Sequence, residues 1–165
     1  MNYYRFEKKQ LKSFAFYASL IFWNFFCFLS VSSKIASYTE GTATAIEFGF
    51  FLPFVGLCCT LALLNSALFF QKEQSEVVFL PDKYRMVAAD LQKMVRIKFL
   101  LLFRGLLIYL VCCIAIYYIS IFGRFQWKAD FSAALPEVFT LLAGGLIFTA
   151  GLTVHDLIWM RRGRL

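Results

Sequence analysis

One histidine, His155, precedes an aspartate, Asp156, near the end of the last long apolar segment of the chain. Because imidazole titrates near neutral pH, His155 could carry charge there, although a stable hydrogen bond is the role we expect. The residues that share a helix face with one or the other are small or hydroxylated: Gly144, Gly145, Thr149 and Gly151. Small residues allow helices to approach closely in a membrane, so this spacing predicts that the pair points into a helix contact.

Three further polar residues are predicted to lie at the same depth in other apolar segments: Arg104, Asn65 and Ser66. An ionisable group in lipid is costly and usually has a partner in the protein. We therefore predict an ion pair between Arg104 and Asp156. His155 and Asn65 would complete an intramembrane polar layer. The alternative is that Arg104 extends to the lipid headgroups while Asp156 reaches Arg161 or water.

A separate polar residue, Asn24, lies near the predicted middle of the first apolar segment. An interhelical hydrogen bond at that depth contributes roughly 0.6–2 kcal/mol to helix association. Two interpretations are open. The asparagine either makes a packing bond inside one subunit or forms a ring of equivalent residues around the axis of an oligomer.

The composition places these residues in a membrane protein. Of the 165 residues, 61% are hydrophobic and 16% are charged, which is too little polar surface for a soluble domain of this length. Segments of about 20 apolar residues cross the hydrocarbon core, and they must be helices because lipid cannot satisfy open backbone groups. The sequence therefore predicts an all-α, polytopic membrane protein with one domain over residues 1–165. Its four transmembrane helices are predicted at about 12–31, 47–70, 99–122 and 135–159.

The basic residues predict the topology. Most of the 17 Lys and Arg residues lie before the first span, between spans two and three, or after span four. Since basic residues favour the cytoplasmic side, we expect a multi-pass protein of the bacterial inner (plasma) membrane with both termini cytoplasmic. The net charge of +7 then reflects topology and contact with the lipid bilayer. No basic stretch forms a module of its own, so direct nucleic-acid binding is not expected.

The loop 71–98 is the sizeable extramembrane segment of the predicted topology. Pro81 followed by Asp82 is a helix-start signal, and apolar residues then recur at helical spacing. We predict an amphipathic cytoplasmic helix between spans two and three that runs into span three. It would serve as a lid on the inner leaflet or as a docking site for a cytosolic protein. The basic residues expected to contact that partner or the lipid are Lys83, Arg85, Lys93 and Arg96.

The sequence offers no convincing catalytic constellation. The cysteines all fall within predicted spans, at Cys27, Cys58, Cys59, Cys112 and Cys113. A thiol resists ionisation in such surroundings, and adjacent residues on a helix point about 100° apart, which does not suit a disulfide. One histidine cannot supply both axial ligands of a haem, and no phosphate-binding loop or zinc-ligand spacing occurs. We expect no cofactor, no metal and no enzymatic activity.

In layout, with four spans, basic cytoplasmic ends and few loops, the chain resembles several small inner-membrane proteins. These are the membrane subunits of phage-defence systems, of the Kiwa and Rex exclusion types, and the immunity proteins against pore-forming colicins. The resemblance covers the span pattern and carries over no functional residues. It implies a protein that senses disturbance of the bilayer, blocks a toxin or depolarises the cell, together with a cytosolic partner or an incoming toxin.

Three functional interpretations remain open. The first is a non-enzymatic, homo-oligomeric membrane anchor or sensor that recruits a cytosolic partner through loop 71–98 in phage defence. The second is an ion-conducting oligomer or depolarising effector, and the third is an accessory subunit of a transporter or respiratory complex. The prediction of a homo-oligomer rests on small residues at helix-contact spacing, Gly56 with Thr60 and Gly144 with Gly151.

Overall fold

Four long helices account for most of the residues that the structure, a computed structural model, describes, which are 14–44, 46–73, 76–79, 91–125 and 134–162. These helices are α1 (Phe14–Thr39), α2 (Phe51–Phe69), α3 (Leu91–Phe125) and α4 (Leu135–Arg162). Each contains a stretch that is long and apolar enough to cross a membrane. The predicted all-α fold with four spans is confirmed, and the chain is a multi-pass membrane protein.

A short antiparallel hairpin, which the sequence analysis did not predict, directly follows α2. Its strands are β1 (Phe70–Glu73) and β2 (Glu76–Phe79), with Phe70 opposite Phe79 and Glu73 opposite Glu76. Most of the predicted amphipathic helix falls on residues 80–90, which lie outside the described residues, so it stays a prediction. Its last part coincides with the first turns of α3, which continue into the third span. We call the end of the bundle with β1 and β2 the hairpin end, and the opposite end the distal end.

The second span begins four residues later than predicted. Residues 46–49 are not helical, and Gly49 has a φ of 79°, a left-handed conformation that glycine adopts at little cost. The helix begins at Phe51, with Pro53 in its first turn, where a missing N–H leaves no hydrogen bond unmade. The boundary was hidden in the sequence because Ile46 and Phe48 are apolar. Both are buried against the bundle without being helical.

The central helices of the bundle are α2 and α3, because α1 and α4 each pack against both of them. Glycine makes the closest approaches possible. A Cβ atom on Gly56 of α2 would collide with the Tyr109 hydroxyl of α3, and one on Gly145 of α4 would lie 2.6 Å from a methyl carbon of Leu106. The outer faces of α1 and α4 present large exposed apolar side chains such as Phe25 and Ile147. These faces are suited to lipid, whereas the inner faces of all four helices contribute buried polar side chains, such as Asn24 of α1, Asn65 of α2, Lys98 of α3 and Asp156 of α4.

Candidate functional site: an intramembrane polar cluster

The last helix carries a buried carboxylate near the hairpin end. Asp156 on α4 is 1% exposed, and its Oδ1 atom lies 3.2 Å from Nδ1 of His155. The His155 side chain is itself 59% exposed, so one member of the pair is enclosed while the other reaches the surface of α4. A carboxylate at this depth depends on donors from the protein, since lipid tails supply none.

Two other helices contribute to the surroundings of this carboxylate. The side chain of Asn65 on α2 and the ammonium group of Lys98 on α3 both interact with Asp156. Asn65 lies about one turn before the end of α2, and Lys98 lies about two turns after the start of α3. The hairpin end is where these two helix ends meet, which brings both residues to the depth of Asp156. We call Asp156, His155, Asn65 and Lys98 the polar cluster.

The member that sequence reasoning missed is Lys98, whose side chain is completely buried. Its ammonium group donates a hydrogen bond to the carbonyl oxygen of Leu68 and lies over the Phe69 ring, 4.7 Å from the ring centroid. The last carbonyl groups of a helix lack intrahelical donors and carry partial negative charge, so a cation there is favourable. The ring face adds a further attraction. Lys98 therefore joins α3 to the last turn of α2 while its charge acts on Asp156.

The polar cluster contains Lys98 at the place where the sequence analysis expected Arg104. The two residues are six positions apart, so at about 100° per residue they point about 120° apart around the axis of α3. Arg104 is exposed, and Ser66 also turns outward because it follows the buried Asn65. The members of the predicted polar layer that the structure brings together are Asp156, His155 and Asn65.

A pattern in the sequence contained the signal for Lys98. The residues that recur at helical spacing and are buried on one face of α3 are Lys98, Leu101, Leu102, Gly105 and Tyr109. In the sequence, Lys98 is the last residue of the loop 71–98, and a lysine beside an apolar run usually extends to the membrane interface. Its register with a glycine and a tyrosine of the core was the better guide.

Two buried oxygen atoms of the polar cluster, Asp156 Oδ2 and Asn65 Oδ1, have no hydrogen-bond partner among the described residues. Both atoms are acceptors while Asp156 is ionised, so neither can satisfy the other. Protonation of Asp156 would turn its carboxyl group into a donor and would remove its attraction for Lys98. His155 contacts the carboxylate through one ring nitrogen and is itself exposed on α4. The arrangement can therefore hold a proton and change its charge inside the membrane.

The mid-span asparagine, Asn24, is enclosed by its own subunit. It is 8% exposed, its Nδ2 donates to the Leu20 carbonyl oxygen at 2.8 Å, and its Oδ1 lies 3.8 Å from the Cys113 thiol as acceptor. The first contact lies within α1, and the second joins α1 to α3 of the same chain. They match the packing interpretation of Asn24 and give no support to a ring around an oligomer axis.

A second polar contact within the bundle was not foreseen from the sequence. The hydroxyl groups of Ser19 on α1 and Thr60 on α2 lie 3.0 Å apart and are buried. In the sequence, the signal is one small hydroxyl residue in each of two adjacent spans, a pattern too common in membrane helices to single out a pair. The contact locks the register of α1 against α2 and offers no reactive group.

Of the predicted partner-contact residues, Lys93 and Arg96 are exposed on the first two turns of α3. Lys83 and Arg85 lie outside the described residues. All five cysteines are free thiols. Within the described ranges, no three His, Cys, Asp or Glu side chains come close enough together to hold a metal ion.

Comparison of the chain with protein-family models, with curated proteins and with solved structures found no match. The resemblance to phage-defence and colicin-immunity proteins therefore stays an expectation from the span pattern. The functional conclusion rests on the hairpin end of the bundle and on the chemistry of the polar cluster there.

Proposed function

We propose that this chain is a non-enzymatic anchor and sensor of the bacterial inner membrane that recruits a soluble protein at its hairpin end, which would lie in the cytoplasm. The observation that carries the proposal is the β1–β2 hairpin. It begins at the residue after α2 and forms an antiparallel ladder at the end of a membrane bundle. The remaining elements of the described chain are long apolar helices, so the hairpin is the element best suited to recognise another protein.

The hairpin offers a partner a place to bind by strand addition. In the described part of the chain the sheet has two strands, so each strand is paired with another described strand along one edge only. A two-stranded hairpin is only marginally stable by itself. An extended segment of a partner protein would lengthen the ladder, gain main-chain hydrogen bonds and stabilise the hairpin at once.

Basic residues at the same end support both a cytoplasmic location and an acidic partner. Lys93 and Arg96 are exposed on the first turns of α3, and Lys83 and Arg85 precede them in the sequence. Basic residues are retained on the cytoplasmic side of bacterial membranes. A partner that bears acidic side chains beside its added strand would be complementary to this end, which raises its association rate and its specificity.

The polar cluster lies at the base of the hairpin, which supports the sensor part of the proposal. Lys98 binds the carbonyl oxygen of Leu68, two residues before the start of β1. Phe70, the first residue of β1, packs against the same apolar cluster as Phe69. A change of charge at Asp156 would alter how Lys98 holds the last turn of α2, and with it the base of β1. A change in the bilayer or in proton supply would reach the bound partner by this route.

The test compares two single variants at one position of β2. Val78→Pro removes the N–H group of the residue that pairs with Gln71 and disrupts the ladder, whereas Val78→Thr keeps a β-branched side chain. We expect a cytosolic protein that crosslinks to the native chain to be lost with Val78→Pro and retained with Val78→Thr, at equal membrane levels. Equal capture by both variants, or no soluble protein on the native chain, would contradict the proposal.

Homo-oligomerisation belongs to the same proposal, with α4 as its contact. Gly56 and Gly144 pack against Tyr109 and Phe54 of the same chain, whereas a Cβ atom on Gly151 would meet nothing within 4 Å. Gly151 is therefore the small residue that remains open for a second copy. Gly151→Leu should lower the mass of the protein in nanodiscs to that of a monomer without loss of folding. An unchanged mass would exclude α4 as the contact.

The pathway that we propose for this anchor is phage defence, on the strength of the span pattern. Cells that carry the native chain and its neighbouring genes should reduce phage plating, and cells with Val78→Pro should not. Equal plating on both strains, and on a strain without the gene, would remove phage defence and leave the anchor proposal to the crosslinking result.

The alternative is a proton-conducting oligomer that depolarises the cell, and one observation favours it. His155 is exposed on α4 beside the enclosed Asp156, which is the arrangement of a group that passes protons between a surface and an interior. Reconstituted vesicles would then acidify in response to a membrane potential, and His155→Ala would slow that flux about 10²-fold or more, as is usual for loss of a single proton-transfer group. Vesicles that stay sealed to protons would remove this alternative.

A further inference from the structure

The distal end of the bundle contains a polar cavity of about 430 Å³ that is far from the polar cluster and has no part in the proposed function. This volume lies within the range of ligand pockets, roughly 300–1,000 Å³. The residues that line it are Ser33, Lys34, Ser37, Thr42, Ala43, Thr44 and Glu47. One cation, one carboxylate and several hydroxyl groups therefore share a single cavity at a helix end.

The wall of the cavity is held in place by the other helices. The Tyr117 hydroxyl of α3 donates to the carbonyl oxygen of Ile46 at 2.7 Å, and the Tyr117 ring meets Phe48 edge-on at 5.3 Å. The backbone N–H of Gly49 donates to the carboxylate of Glu137 in the first turn of α4. Three contacts from two helices thus fix the segment 46–49, so the cavity is formed before any ligand arrives.

The cationic side of the cavity is Lys34 on the penultimate turn of α1. Its ammonium group donates to the carbonyl oxygen of Glu47 at 3.2 Å, which uses one of its three N–H donors. The ammonium group lies directly against Gly49, where a Cβ atom would collide with it. The backbone therefore positions the charge at the wall, and the two other donors remain to bind an anionic oxygen.

The acceptor groups of the cavity are hydroxyl oxygens and a carboxylate. The Ser37 hydroxyl donates to the carbonyl oxygen of Ser33 at 3.3 Å, and the Thr42 hydroxyl donates to that of Ser37 at 2.8 Å. Their hydrogen atoms are engaged, so these oxygens present lone pairs as acceptors. The Glu47 side chain is exposed at the rim. A ligand that fits both sides carries an anionic oxygen group and a primary ammonium group on one short chain.

The depth of the cavity identifies the source of such a ligand. Helix α1 has 26 residues, about 39 Å at 1.5 Å per residue, whereas the hydrocarbon core is about 30 Å thick. The apolar part of α1 ends at Val31, and Ser33, Lys34 and Ser37 follow it, so the excess length at this end extends into the headgroup layer. We propose that the cavity binds the headgroup of an aminophospholipid, with the phosphate at Lys34 and the ammonium group between Glu47 and the hydroxyl acceptors.

The experiment measures lipid binding to the full-length chain in detergent by native mass spectrometry. The lipids are phosphatidylethanolamine, its N-trimethylated analogue phosphatidylcholine, and phosphatidylglycerol. We expect phosphatidylethanolamine to bind most tightly to the native chain. Lys34→Met should weaken its binding at least about tenfold, equal to roughly 1.4 kcal/mol, whereas Lys34→Arg should retain most of it. The matched control is Arg124→Met, which removes a basic residue that is exposed at the same end and lies outside the cavity. It should leave binding unchanged.

A second variant keeps the test decisive if Lys34→Met folds poorly. Glu47→Gln alters a side chain at the exposed rim and should abolish the preference for phosphatidylethanolamine over phosphatidylglycerol, because the ammonium group loses its carboxylate. Equal binding of the three lipids by the native chain would overturn the proposal. So would an unchanged preference in Glu47→Gln, or equal losses in Lys34→Met and Arg124→Met. Soluble phosphoethanolamine that competes as strongly as the lipid would assign the site to a free metabolite and overturn the lipid assignment.

Discussion

The two ends of the bundle use the same kinds of residues in opposite ways. At the hairpin end a lysine and an aspartate, Lys98 and Asp156, are both almost completely buried. At the distal end a lysine and a glutamate, Lys34 and Glu47, line an open cavity, and the lysine is held by a backbone carbonyl. Burial rather than residue type separates the two sites. The enclosed pair contributes to the folding energy and responds to protonation, whereas the open pair keeps donors and acceptors available for a ligand.

The difference follows from how the helices leave the membrane at each end. At the hairpin end α2 and α3 meet closely, so the ammonium group of Lys98 on α3 binds a carbonyl oxygen in the last turn of α2. At the distal end the chain between α1 and α2 includes a non-helical segment, residues 46–49, and the cavity lies beside it. A close helix junction encloses charge, while an interposed loop supported by neighbouring helices creates a cavity.

The largest effect should come from separating the charges at the hairpin end. Lys98→Met takes a buried donor from the Leu68 carbonyl oxygen, and Asp156→Leu leaves the buried Lys98 with less negative charge nearby. Each variant should lower the free energy of unfolding by about 3 kcal/mol, since a buried group that loses an interaction costs about 1–3 kcal/mol and more when it is charged. The double variant Lys98→Met/Asp156→Leu should recover a large part of that loss, because no buried charge remains. Unfolding of the purified protein in mixed micelles with increasing denaturing detergent would give these values.

The control for this comparison is the exposed arginine of the same helix. Arg104→Leu should lower the free energy of unfolding by clearly less than Lys98→Met does, because the Arg104 side chain is exposed, and its effect should add to that of Asp156→Leu. A loss with Arg104→Leu as large as with Lys98→Met, together with recovery in the Arg104→Leu/Asp156→Leu double variant, would restore Arg104 as the partner of Asp156. It would also show that Lys98 stabilises the last turn of α2 and contributes nothing to Asp156.

The next largest change in stability should come from substituting glycines, because Gly56 of the central helix α2 is closely packed whereas Gly151 of the flanking helix α4 is not. Gly56→Ala places a methyl group against the Tyr109 hydroxyl and the Trp23 side chain, and overpacking of this kind costs about 1–3 kcal/mol. Gly151→Ala meets open space and should stabilise α4 slightly, by about 0.5–1 kcal/mol, since alanine is the better helix former. The same unfolding experiment measures both. Equal changes in the two variants would mean that α1, α2 and α3 do not pack as closely as described.

Span number and fold class could be predicted from the sequence because both depend on length and composition alone. Four apolar segments of sufficient length can only become four helices in lipid. The start of α2 could not be predicted in the same way, because Ile46 and Phe48 are as apolar as the helix that follows. The left-handed conformation of Gly49 and the hydrogen bond from Tyr117 to Ile46 hold residues 46–49 outside the helix. A tertiary contact of that kind leaves no periodic signal in the sequence.

The candidate site was half predicted for a related reason. Matched depth, counted in residues from the span ends, grouped Asp156, His155 and Asn65, which also lie near one another in the structure. Depth says nothing about the side of a helix that a residue occupies, and this is the property that separates Lys98 from Arg104. The helical register of Lys98 with Gly105 and Tyr109 contains that information. Register against the small residues of a span is therefore a better predictor of a buried charge than distance from the span end.

A smaller effect should follow at the distal end from loosening the cavity wall. Tyr117→Phe removes the hydrogen bond to the Ile46 carbonyl oxygen but keeps the ring contact with Phe48. Loss of one such bond costs about 0.5–1.5 kcal/mol in stability. Lipid binding at the cavity should weaken along with it, because segment 46–49 loses one of the three contacts that fix it, while the hairpin end stays unaffected. A stability loss without any change in lipid binding would separate Tyr117 from the cavity.

The smallest effect should come from the hydroxyl pair between the two ends, Ser19 with Thr60. An interhelical hydrogen bond of this kind contributes about 0.6 kcal/mol on average in a membrane protein, so Ser19→Ala should reduce the free energy of unfolding by roughly that amount. Ser19→Ala/Thr60→Val removes both polar groups and leaves no buried hydroxyl unpaired, so it should cost no more than the single variant. If Ser19→Ala lowered the free energy of unfolding almost as much as Lys98→Met, the mid-span hydroxyl pair would be a major stabilising contact. This result would contradict the view that the polar groups at the hairpin end contribute most to stability. The double-variant comparison decides the cause, because a packing effect would add across the two positions, whereas a hydrogen bond can be lost only once.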